Sequence, residues 1–283
     1  MTPWLKVGFI YNLTEMAKQE KAAMKIVHDL RDKIVKERRA VRQQIKIKQS
    51  QEDQEDGGKT RLSLLDFMLD INMSDAEIGE EVDTFMFAGH DTVATVINWS
   101  LFVLADHKDA QNKIVKEFED LCASTDDPYS MTNLNKLDYL DRCLKEVMRL
   151  YSPVPLIARR TSTALRIGGH YVPAETRVLV FFSEIHMNPK NYLEPEKFDP
   201  DRFLPERRAN AHPFSYVPFS AGYRNCIGSK YAMLVLKIIL LKVLQAYEIS
   251  TNTRPEDLRL YSELVLANEN GVNISIEKRL SKS

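Results

Sequence analysis

The chain contains 283 residues, of which 44% are hydrophobic and 28% are charged; this is enough apolar content for a core and too much for a disordered protein. Its 39 Lys and Arg nearly cancel its 40 Asp and Glu, which excludes a uniformly basic surface for nucleic acid. Three cysteines are too few for a disulfide framework, and no apolar run approaches the ~18 residues that a membrane span requires. The N-terminal end also lacks the pattern of a signal peptide, so these features predict one or two soluble globular domains.

Two helices and an intervening polar segment are predicted at the N-terminal end. Apolar residues at steps of three and four, with charged residues between them, indicate a helix over residues 12–44. Residues 49–59 are polar, acidic and closed by two glycines, which predicts a flexible surface loop. A short apolar helix follows over residues 62–69.

A long central helix is predicted to begin near residue 74. Ser74 and Glu77 form the pattern of a capping box, in which each side chain accepts a hydrogen bond from the other residue's backbone N–H. Apolar residues recur from Ile78 to Leu101 without an intervening proline. At ~1.5 Å per residue such a helix crosses a whole domain, so we expect it to be buried in the middle of a larger fold.

The rest of the chain combines further helices with short strands. Helices are predicted over residues 109–121 and 134–150, and a last helix begins near residue 228. Extended runs separated by Gly and Pro predict strands at 156–160, 165–167, 171–172, 178–182 and 272–276. Residues 187–219 contain six prolines and little periodicity, which is typical of a long irregular meander. The predicted fold class is mainly α with small β-sheets.

One segment near the C-terminal end combines a cysteine with glycines and an arginine. In the run 219–228 (FSAGYRNCIG), Cys226 lies just before the last helix, where unpaired backbone N–H groups and the helix dipole stabilise a thiolate. Gly222 and Gly228 allow a flat molecule to approach the backbone closely, and Arg224 is placed to bind a carboxylate on it. A lone cysteine is more often a buried structural residue, but the full spacing F-x-x-G-x-R-x-C-x-G argues against that alternative.

This spacing resembles the haem-binding loop of the cytochrome P450 superfamily, and three further motifs follow the family's order. Glu146 and Arg149 match its E-x-x-R, and the run 200–203 (PDRF) lies where the family has its meander arginine. The run 88–92 (AGHDT) matches the A/G-G-x-D/E-T of its long central helix. The resemblance implies that residues 1–283 form a partial haem-thiolate monooxygenase domain, corresponding to about the C-terminal half of a family member.

Other runs narrow the resemblance to the superfamily's fourth family, the fatty-acid ω-hydroxylases and their insect relatives. The segments 81–92, 153–159 and 218–222 are close to that group's sequences. Many of its members carry a glutamate at the position of Ala88, and that glutamate forms an ester bond to the haem. Because alanine has no carboxylate, the resemblance implies a non-covalently bound haem in this chain.

The resemblance assigns several residues to the thiolate side of the haem. Cys226 would be the axial ligand of the iron, and its electron donation favours O–O cleavage. Phe219 would pack beside this ligand, although it is equally a candidate for a plain core aromatic. Arg159 and Arg224 would bind the haem propionates, with Arg160 as the alternative to Arg159 because neighbouring strand residues point to opposite faces.

On the opposite side, the resemblance assigns oxygen chemistry to the central helix. Gly89 would thin the helix so that dioxygen and substrate fit above the iron. The Thr92 hydroxyl would steer protons to bound dioxygen, and Asp91 would supply them from bulk water. The structural alternative for Thr92 is a hydrogen bond to the carbonyl of Ala88, four residues earlier.

The remaining assignments concern structure and substrate. Glu146 and Arg149 are either an exposed i,i+3 pair or, as the resemblance implies, a buried network with Arg202 that holds the Cys226 loop. The resemblance points to four apolar residues for substrate contact, and each is equally a candidate for the core. These are Phe85, Val154, Ile157 and Leu264.

Taken together, the resemblance implies a monooxygenase that inserts one oxygen atom into a lipophilic substrate, either a fatty acid, a terpenoid or a xenobiotic. Electrons would come from NADPH through cytochrome P450 reductase, with cytochrome b5 as a second candidate donor. The full-length enzyme would lie on the cytosolic face of the endoplasmic reticulum membrane. The alternative is a truncated, catalytically incompetent fragment or isoform, because the family's membrane anchor and N-terminal half have no counterpart here.

Overall fold

A computed structural model describes residues 7–51, 62–71 and 73–279. Its helices are α1 (Gly8–Asn12), α2 (Glu15–Gln51), α3 (Leu64–Asp70), α4 (Asp75–Ala105), α5 (Lys108–Ser124), α6 (Met131–Leu134), α7 (Asp138–Leu150), α8 (Phe182–His186), α9 (Pro205–Arg208) and α10 (Ser229–Ala246). Its strands are β1 (Leu156–Arg160), β2 (Leu165–Ile167), β3 (His170–Val172), β4 (Arg177–Phe181), β5 (Tyr247–Ser250), β6 (Leu260–Ser262), β7 (Leu266–Asn268) and β8 (Ser275–Lys278). Within these ranges, no helix is both long and apolar enough to cross a bilayer.

The chain divides into two compact units, and the division falls between Ala88 and Gly89. The first unit contains α1 to α3 and the first part of α4. The second contains the rest of α4 and all later elements, including four two-stranded antiparallel sheets that pair β1 with β4, β2 with β3, β5 with β8 and β6 with β7. This mainly helical architecture with small sheets confirms the predicted fold class.

Helix α2 differs from its prediction at both ends. It begins at Glu15 and continues to Gln51, so the loop predicted over residues 49–59 is wrong for its first three residues. Residues 45–51 contain no Gly or Pro and are mostly Lys, Gln and Ile, which permit helix to continue. Residues 52–59 of the predicted loop lie outside the described residues.

The first unit is held by a small apolar cluster and by arginine–aspartate pairs. Val35, Met68 and Ile78 form the buried cluster. Arg38 Nε and Nη2 donate to the two carboxylate oxygens of Asp66 at 2.7 and 2.5 Å. These bonds hold the pKa of Asp66 well below its usual range, and so does the Ser63 cap that begins α3.

The central helix is buried along only part of its length. In the second unit, Val96, Trp99 and Phe102 are each at most 4% exposed, whereas Phe87 in the first unit is 54% exposed. The described residues therefore bury only part of this helix. Residues 85, 86 and 87 are all apolar, and consecutive helical residues cannot share one buried face.

The core of the second unit lies among α4, α5, α7 and α10. Ile114, Leu140, Leu144 and Leu240 are each at most 1% exposed in this cluster. The helix predicted over residues 134–150 is interrupted, because α6 ends at Leu134 and α7 begins only at Asp138. The predicted meander is confirmed: over residues 187–219 the regular structure is limited to the four-residue helix α9 and to two short 3₁₀ segments, Pro200–Phe203 and Pro213–Ser215.

Candidate functional site

The loop before α10 presents a cysteine at the surface. Cys226 is exposed, and its backbone N donates to Phe219 O at 2.9 Å, which closes the loop behind the thiol. Gly228 is the N-cap of α10 and provides no side-chain hydrogen bond to the first helical N–H groups. An exposed thiol thus lies two residues from a helix N-terminus whose N–H groups favour negative charge.

The other two cysteines lie elsewhere in the fold. Cys143 is buried in α7, where burial raises the pKa of its thiol well above the usual range. Cys122 is exposed in the last turn of α5. Of the three, Cys226 alone combines exposure with a loop at the start of a helix.

The Cys226 loop contains an unusually shaped turn with open space beside it. Gly222 has a φ of 78°, in the left-handed region that favours glycine, and a Cβ built there would meet no atom within 4 Å. The glycine is therefore required by the backbone conformation, and the space next to it is open. Ile227 is 83% exposed on the same loop. An exposed sulfur donor, an open glycine surface and an exposed apolar side chain fit a flat, largely apolar metal complex such as haem.

The two arginines predicted to bind propionates are both at the surface. Arg224 ends the short turn Gly222–Arg224, and Arg159 lies on β1, where its Nη1 donates to Ala158 O at 2.9 Å. Arg160, the alternative to Arg159, forms an ion pair with Glu175. Because that pair neutralises Arg160, Arg159 is the better candidate for an anionic ligand group.

The structure brings Glu146, Arg149 and Arg202 together in one network. Arg149 Nε and Nη2 each lie 2.8 Å from a different carboxylate oxygen of Glu146, and both side chains are 0% exposed. Arg202 Nε donates to Glu146 Oε1 at 3.2 Å. The pair is therefore fully buried and bidentate, which excludes the alternative of an exposed i,i+3 pair.

The two arginines also hold the backbone of the meander. Arg149 donates to His186 O at 3.1 Å and to Lys197 O at 3.3 Å. Arg202 donates to Glu194 O at 2.7 Å. These carbonyls would otherwise need other partners, so the network fixes the path of the meander that leads to the Cys226 loop.

Residues of α4 in the second unit lie on the helical turns before its buried part. Gly89 is exposed, and a Cβ built there would meet no atom within 4 Å. Asp91 and Thr92 are half-buried, and Val93 packs against the same core cluster as Phe219. The structure thus places Phe219 beside the core. Phe85 and Ala88 belong to the first unit, where both are exposed on α4.

The family of this chain follows from comparison with known proteins. Residues 2–274 match the family described as cytochrome P450. The chain belongs to the cytochrome P450 family. Over 292 aligned positions it is 38% identical to cytochrome P450 4c3 of Drosophila melanogaster, covering 98% of this chain and 54% of that relative. It is 35% identical to cytochrome P450 4V2 of Mus musculus over 290 positions, again with 98% and 54% coverage.

These comparisons confirm the resemblance to the fourth family that the sequence motifs indicated. A solved structure, the haem domain of cytochrome P450DA, matches this P450 chain with a TM-score of 0.76 and 25% identity. The match covers 96% of this chain and 58% of that domain, in agreement with the predicted fold class. The chain spans about half the length of the curated relatives it matches.

Three of the four residues predicted to contact substrate lie in the second unit of this P450 chain. Val154, two residues before β1, and Ile157, on β1, are half-buried, and Leu264 is 55% exposed between β6 and β7. The two regions are joined, because Leu266 N donates to Pro153 O at 2.9 Å. The structure therefore brings these apolar side chains to one region of the second unit.

Sequence reasoning missed the residue that anchors this region. Trp99 Nε1 donates to Leu266 O at 3.1 Å, and its ring stacks on Tyr151 with centroids 4.4 Å apart. A buried tryptophan needs a partner for its indole N–H, which is the signal that would have drawn attention to it. Its partner lies 167 residues away in sequence and has no local signature.

Proposed function

We propose that the chain is the thiolate-bearing part of a haem monooxygenase that inserts one oxygen atom from dioxygen into a lipophilic substrate. The observation that carries the proposal is the exposed Cys226 thiol at the start of α10, in a loop fastened by the Cys226–Phe219 hydrogen bond. The buried Glu146–Arg149 pair supports it, because this pair fixes the meander that precedes the loop. Membership of the cytochrome P450 family supports haem as the cofactor.

When bound, haem supplies the redox chemistry that activates dioxygen, and the residues of this chain hold and insulate it. The Cys226 thiolate would bind the iron, with the N–H groups at the start of α10 partly neutralising its charge. Arg159 and Arg224, both exposed, would pair with the propionates. Phe219, packed at the edge of the core, would keep water from the sulfur.

Residues on α4 would act on the opposite side. Asp91 and Thr92 are half-buried, so a proton can pass from solvent to a carboxylate and a hydroxyl that are partly shielded from water. Gly89 has open space where a side chain would begin, which leaves room for small molecules beside the helix. We assign the proton relay to Asp91 and Thr92 and the clearance to Gly89.

The substrate class and the partners are proposed from the apolar side chains of the second unit and from the family resemblance. Val154, Ile157 and Leu264 offer apolar contacts, which favour a lipophilic substrate. The resemblance of the sequence motifs to fatty-acid ω-hydroxylases favours a fatty acid over a terpenoid or a xenobiotic. Phe85 as a substrate contact follows from the resemblance alone and stays a prediction. NADPH–cytochrome P450 reductase and cytochrome b5 as electron donors, and a place on the endoplasmic reticulum membrane, follow from the resemblance alone and stay predictions.

Haem uptake by the full chain tests the proposal. The chain is mixed with haem, reduced and exposed to carbon monoxide, and the Soret difference spectrum is recorded. We expect the long-wavelength band typical of thiolate-ligated haem in the wild type and in Cys122→Ser, which changes another exposed cysteine. Cys226→Ser should lack this band. Absence of the band in the wild type, or its persistence in Cys226→Ser, contradicts the proposal.

A further inference from the structure

His186 has contacts that the proposed function does not use. It is the last residue of α8 and is fully buried. Its Nδ1 lies 2.8 Å from Ser152 Oγ, and its Nε2 lies 2.9 Å from the backbone N of Val217. One ring thus joins the segment after α7 to the end of the meander.

The contact with Val217 fixes which ring nitrogen carries a proton. A backbone N–H can only donate, so Nε2 must offer a lone pair. The neutral ring then carries its proton on Nδ1 and donates to Ser152 Oγ, and the Ser152 hydroxyl in turn donates to Met148 O at 3.3 Å. A protonated ring would have N–H groups on both nitrogens and no acceptor for Val217. The arrangement therefore requires a neutral His186.

Val217 lies where the meander ends and the turn before Cys226 begins. Its carbonyl accepts from Ser220 N at 3.0 Å, and two residues later Phe219 O accepts from Cys226 N at 2.9 Å. Ser220 has a φ of 61°, in the left-handed region that residues other than glycine rarely adopt. Such a turn persists only when neighbouring groups fix its backbone. The first of these contacts in chain order is the hydrogen bond from the Val217 amide to His186 Nε2.

We infer that His186 is a positioning residue for the Cys226 loop, because its Nε2 fixes the amide from which the turn that presents the thiol begins. The inference rests on the proposed function, in which Cys226 is the haem ligand. His186 is itself fixed from the other side, since Arg149 Nη1 donates to its carbonyl at 3.1 Å. Through this residue, the buried ion-pair network reaches the loop by a chain of direct hydrogen bonds.

The groups around the ring keep it neutral at ordinary pH. Arg149 from α7, with Glu146 bound to it, and Arg208 from α9 are the charged groups on the elements packed against it, and the Tyr216 ring lies 5.3 Å away. Burial, together with the Arg149 and Arg208 cations, lowers the pKa of His186 to about 4. Acidification towards that value should therefore release the amide and loosen the loop.

Two substitutions separate hydrogen bonding from packing. His186→Gln can bring its Oε1 to the position of Nε2, so it keeps an acceptor that does not titrate. His186→Leu fills the same site with an apolar side chain that has no hydrogen-bond acceptor. The matched control is His212→Leu, because exposed His212 also accepts a backbone hydrogen bond through a ring nitrogen, from Phe214 N at 3.1 Å.

The spectrum of the reduced, CO-bound, haem-loaded chain reports thiolate ligation. At neutral pH we expect the long-wavelength band in the wild type, His186→Gln and His212→Leu, and a several-fold smaller band in His186→Leu. On acidification from pH 7 to pH 4 the wild type should lose the band, and His186→Gln should keep it to a lower pH. In the haem-free chain, hydrogen exchange of the Val217 amide should be roughly ten- to hundredfold faster in His186→Leu, because a buried donor loses its acceptor.

Several results would overturn the inference. One such result is that His186→Leu keeps both the full band and the wild-type rate of hydrogen exchange at the Val217 amide. Another is that the wild type and His186→Gln lose the band over the same pH range. A third is that His186→Gln loses as much of the band as His186→Leu while its far-UV circular dichroism stays native. The loop would then not depend on a hydrogen-bond acceptor at residue 186. If the wild type itself shows no thiolate-ligated haem, the proposed function fails, and Val217 exchange still decides the His186 contact. If His186→Leu does not fold, the acid profile of His186→Gln decides.

Discussion

Replacing Glu146 by glutamine tests the buried network with the smallest change in shape. The carboxylate accepts two hydrogen bonds from Arg149 at 2.8 Å, one from Arg202 Nε at 3.2 Å and one from Asp199 N at 3.0 Å. Glutamine has one oxygen where glutamate has two, so its amide nitrogen would face at least one of these donors. The guanidinium of Arg149 would also lose its carboxylate partner while remaining fully buried.

The burial of the pair sets the expected magnitude. Removing one partner of a buried ion pair costs about 3–5 kcal/mol, because the other charge stays desolvated. An exposed pair would cost under ~1 kcal/mol. Since Glu146 and Arg149 are both 0% exposed, we expect the larger loss in the free energy of unfolding. For a unit of about 200 residues this corresponds to a decrease in Tm of about 6–20 °C.

Urea unfolding of the full chain, followed by far-UV circular dichroism, measures this loss. The control is Asp120→Asn, which breaks the exposed i,i+4 pair with Lys116 on α5 and should leave the unfolding midpoint unchanged. A loss below ~1 kcal/mol for Glu146→Gln would refute the reasoning, because it would mean that Arg149 tolerates burial without this partner. Equal losses for the two variants would refute it as well.

Three further predictions concern the core, the proton relay and the cofactor. Gln111→Leu should lower the free energy of unfolding by about 1–3 kcal/mol for each backbone group left unpaired, because buried Gln111 bonds Ile249 O at 2.8 Å and Ile249 N at 3.0 Å; urea unfolding measures this. Thr92→Ala should lower the rate of product formation roughly 10²-fold while hydrogen peroxide is released in place of product, which assays with reductase, NADPH and a fatty acid detect. On extraction with acidified organic solvent, haem should pass into the organic phase, because Ala88 has no carboxylate to form an ester bond to it. The haem absorbance of the organic and aqueous phases measures this.

Each of these predictions has a control and a contrary result. Gln245→Leu, which removes an exposed 2.8 Å contact with Tyr129, should change stability far less than Gln111→Leu, and equal effects would contradict the first prediction. Thr95→Ala changes another half-buried threonine one turn further along α4, and it should leave the ratio of product to hydrogen peroxide unchanged. If Thr92→Ala also leaves this ratio unchanged, Thr92 does not belong to a proton relay. Haem that stays with the protein after extraction contradicts the prediction that it is bound non-covalently.

The features that depend on neighbouring residues could be predicted from the sequence. The Ser74–Glu77 capping box is present, with Ser74 N donating to Glu77 Oε2 at 2.9 Å and Glu77 N to Ser74 Oγ at 3.3 Å. Strand β1 has the predicted bounds, because Pro153 and Pro155 precede it and end the helical pattern before it. The Cys226 loop was found for the same reason, since its glycines, arginine and cysteine lie within ten residues.

Features that depend on distant contacts could not be predicted in this way. The break before α7 follows α6, in which Asn133 Nδ2 donates to Asp127 O at 2.8 Å, and the backbone N of Tyr139 at the start of α7 donates to Glu117 Oε1 at 2.7 Å. The helical periodicity reveals neither contact. The final strand was predicted at residues 272–276, but β8 is Ser275–Lys278, because its register is set by pairing with Tyr247–Ser250. The link between His186 and Val217 joins residues 31 positions apart in sequence, so no local pattern reveals it.

The stability of the chain between pH 7 and pH 5 should depend on His186, and the direction follows from its burial. The pKa of His186 is lowered to about 4 in the folded chain, against an ordinary value of 6.5. Between these values the unfolded chain binds more protons than the folded one, so the free energy of unfolding rises with pH. The stability is complete above the ordinary value and is lost progressively as the pH falls towards 4.

A shift of this size corresponds to a loss of about 2 kcal/mol between pH 7 and pH 5. Carboxylates with a lowered pKa in the folded chain, such as Asp66, lose their contribution only below about pH 4, so they do not produce a slope in this interval. His186→Gln removes the titrating group and should flatten the dependence, which urea unfolding at pH 5, 6 and 7 measures. A flat profile for the wild type would mean that His186 is not held neutral by burial, because an uncharged ring in a fully buried site must make acid unfolding easier.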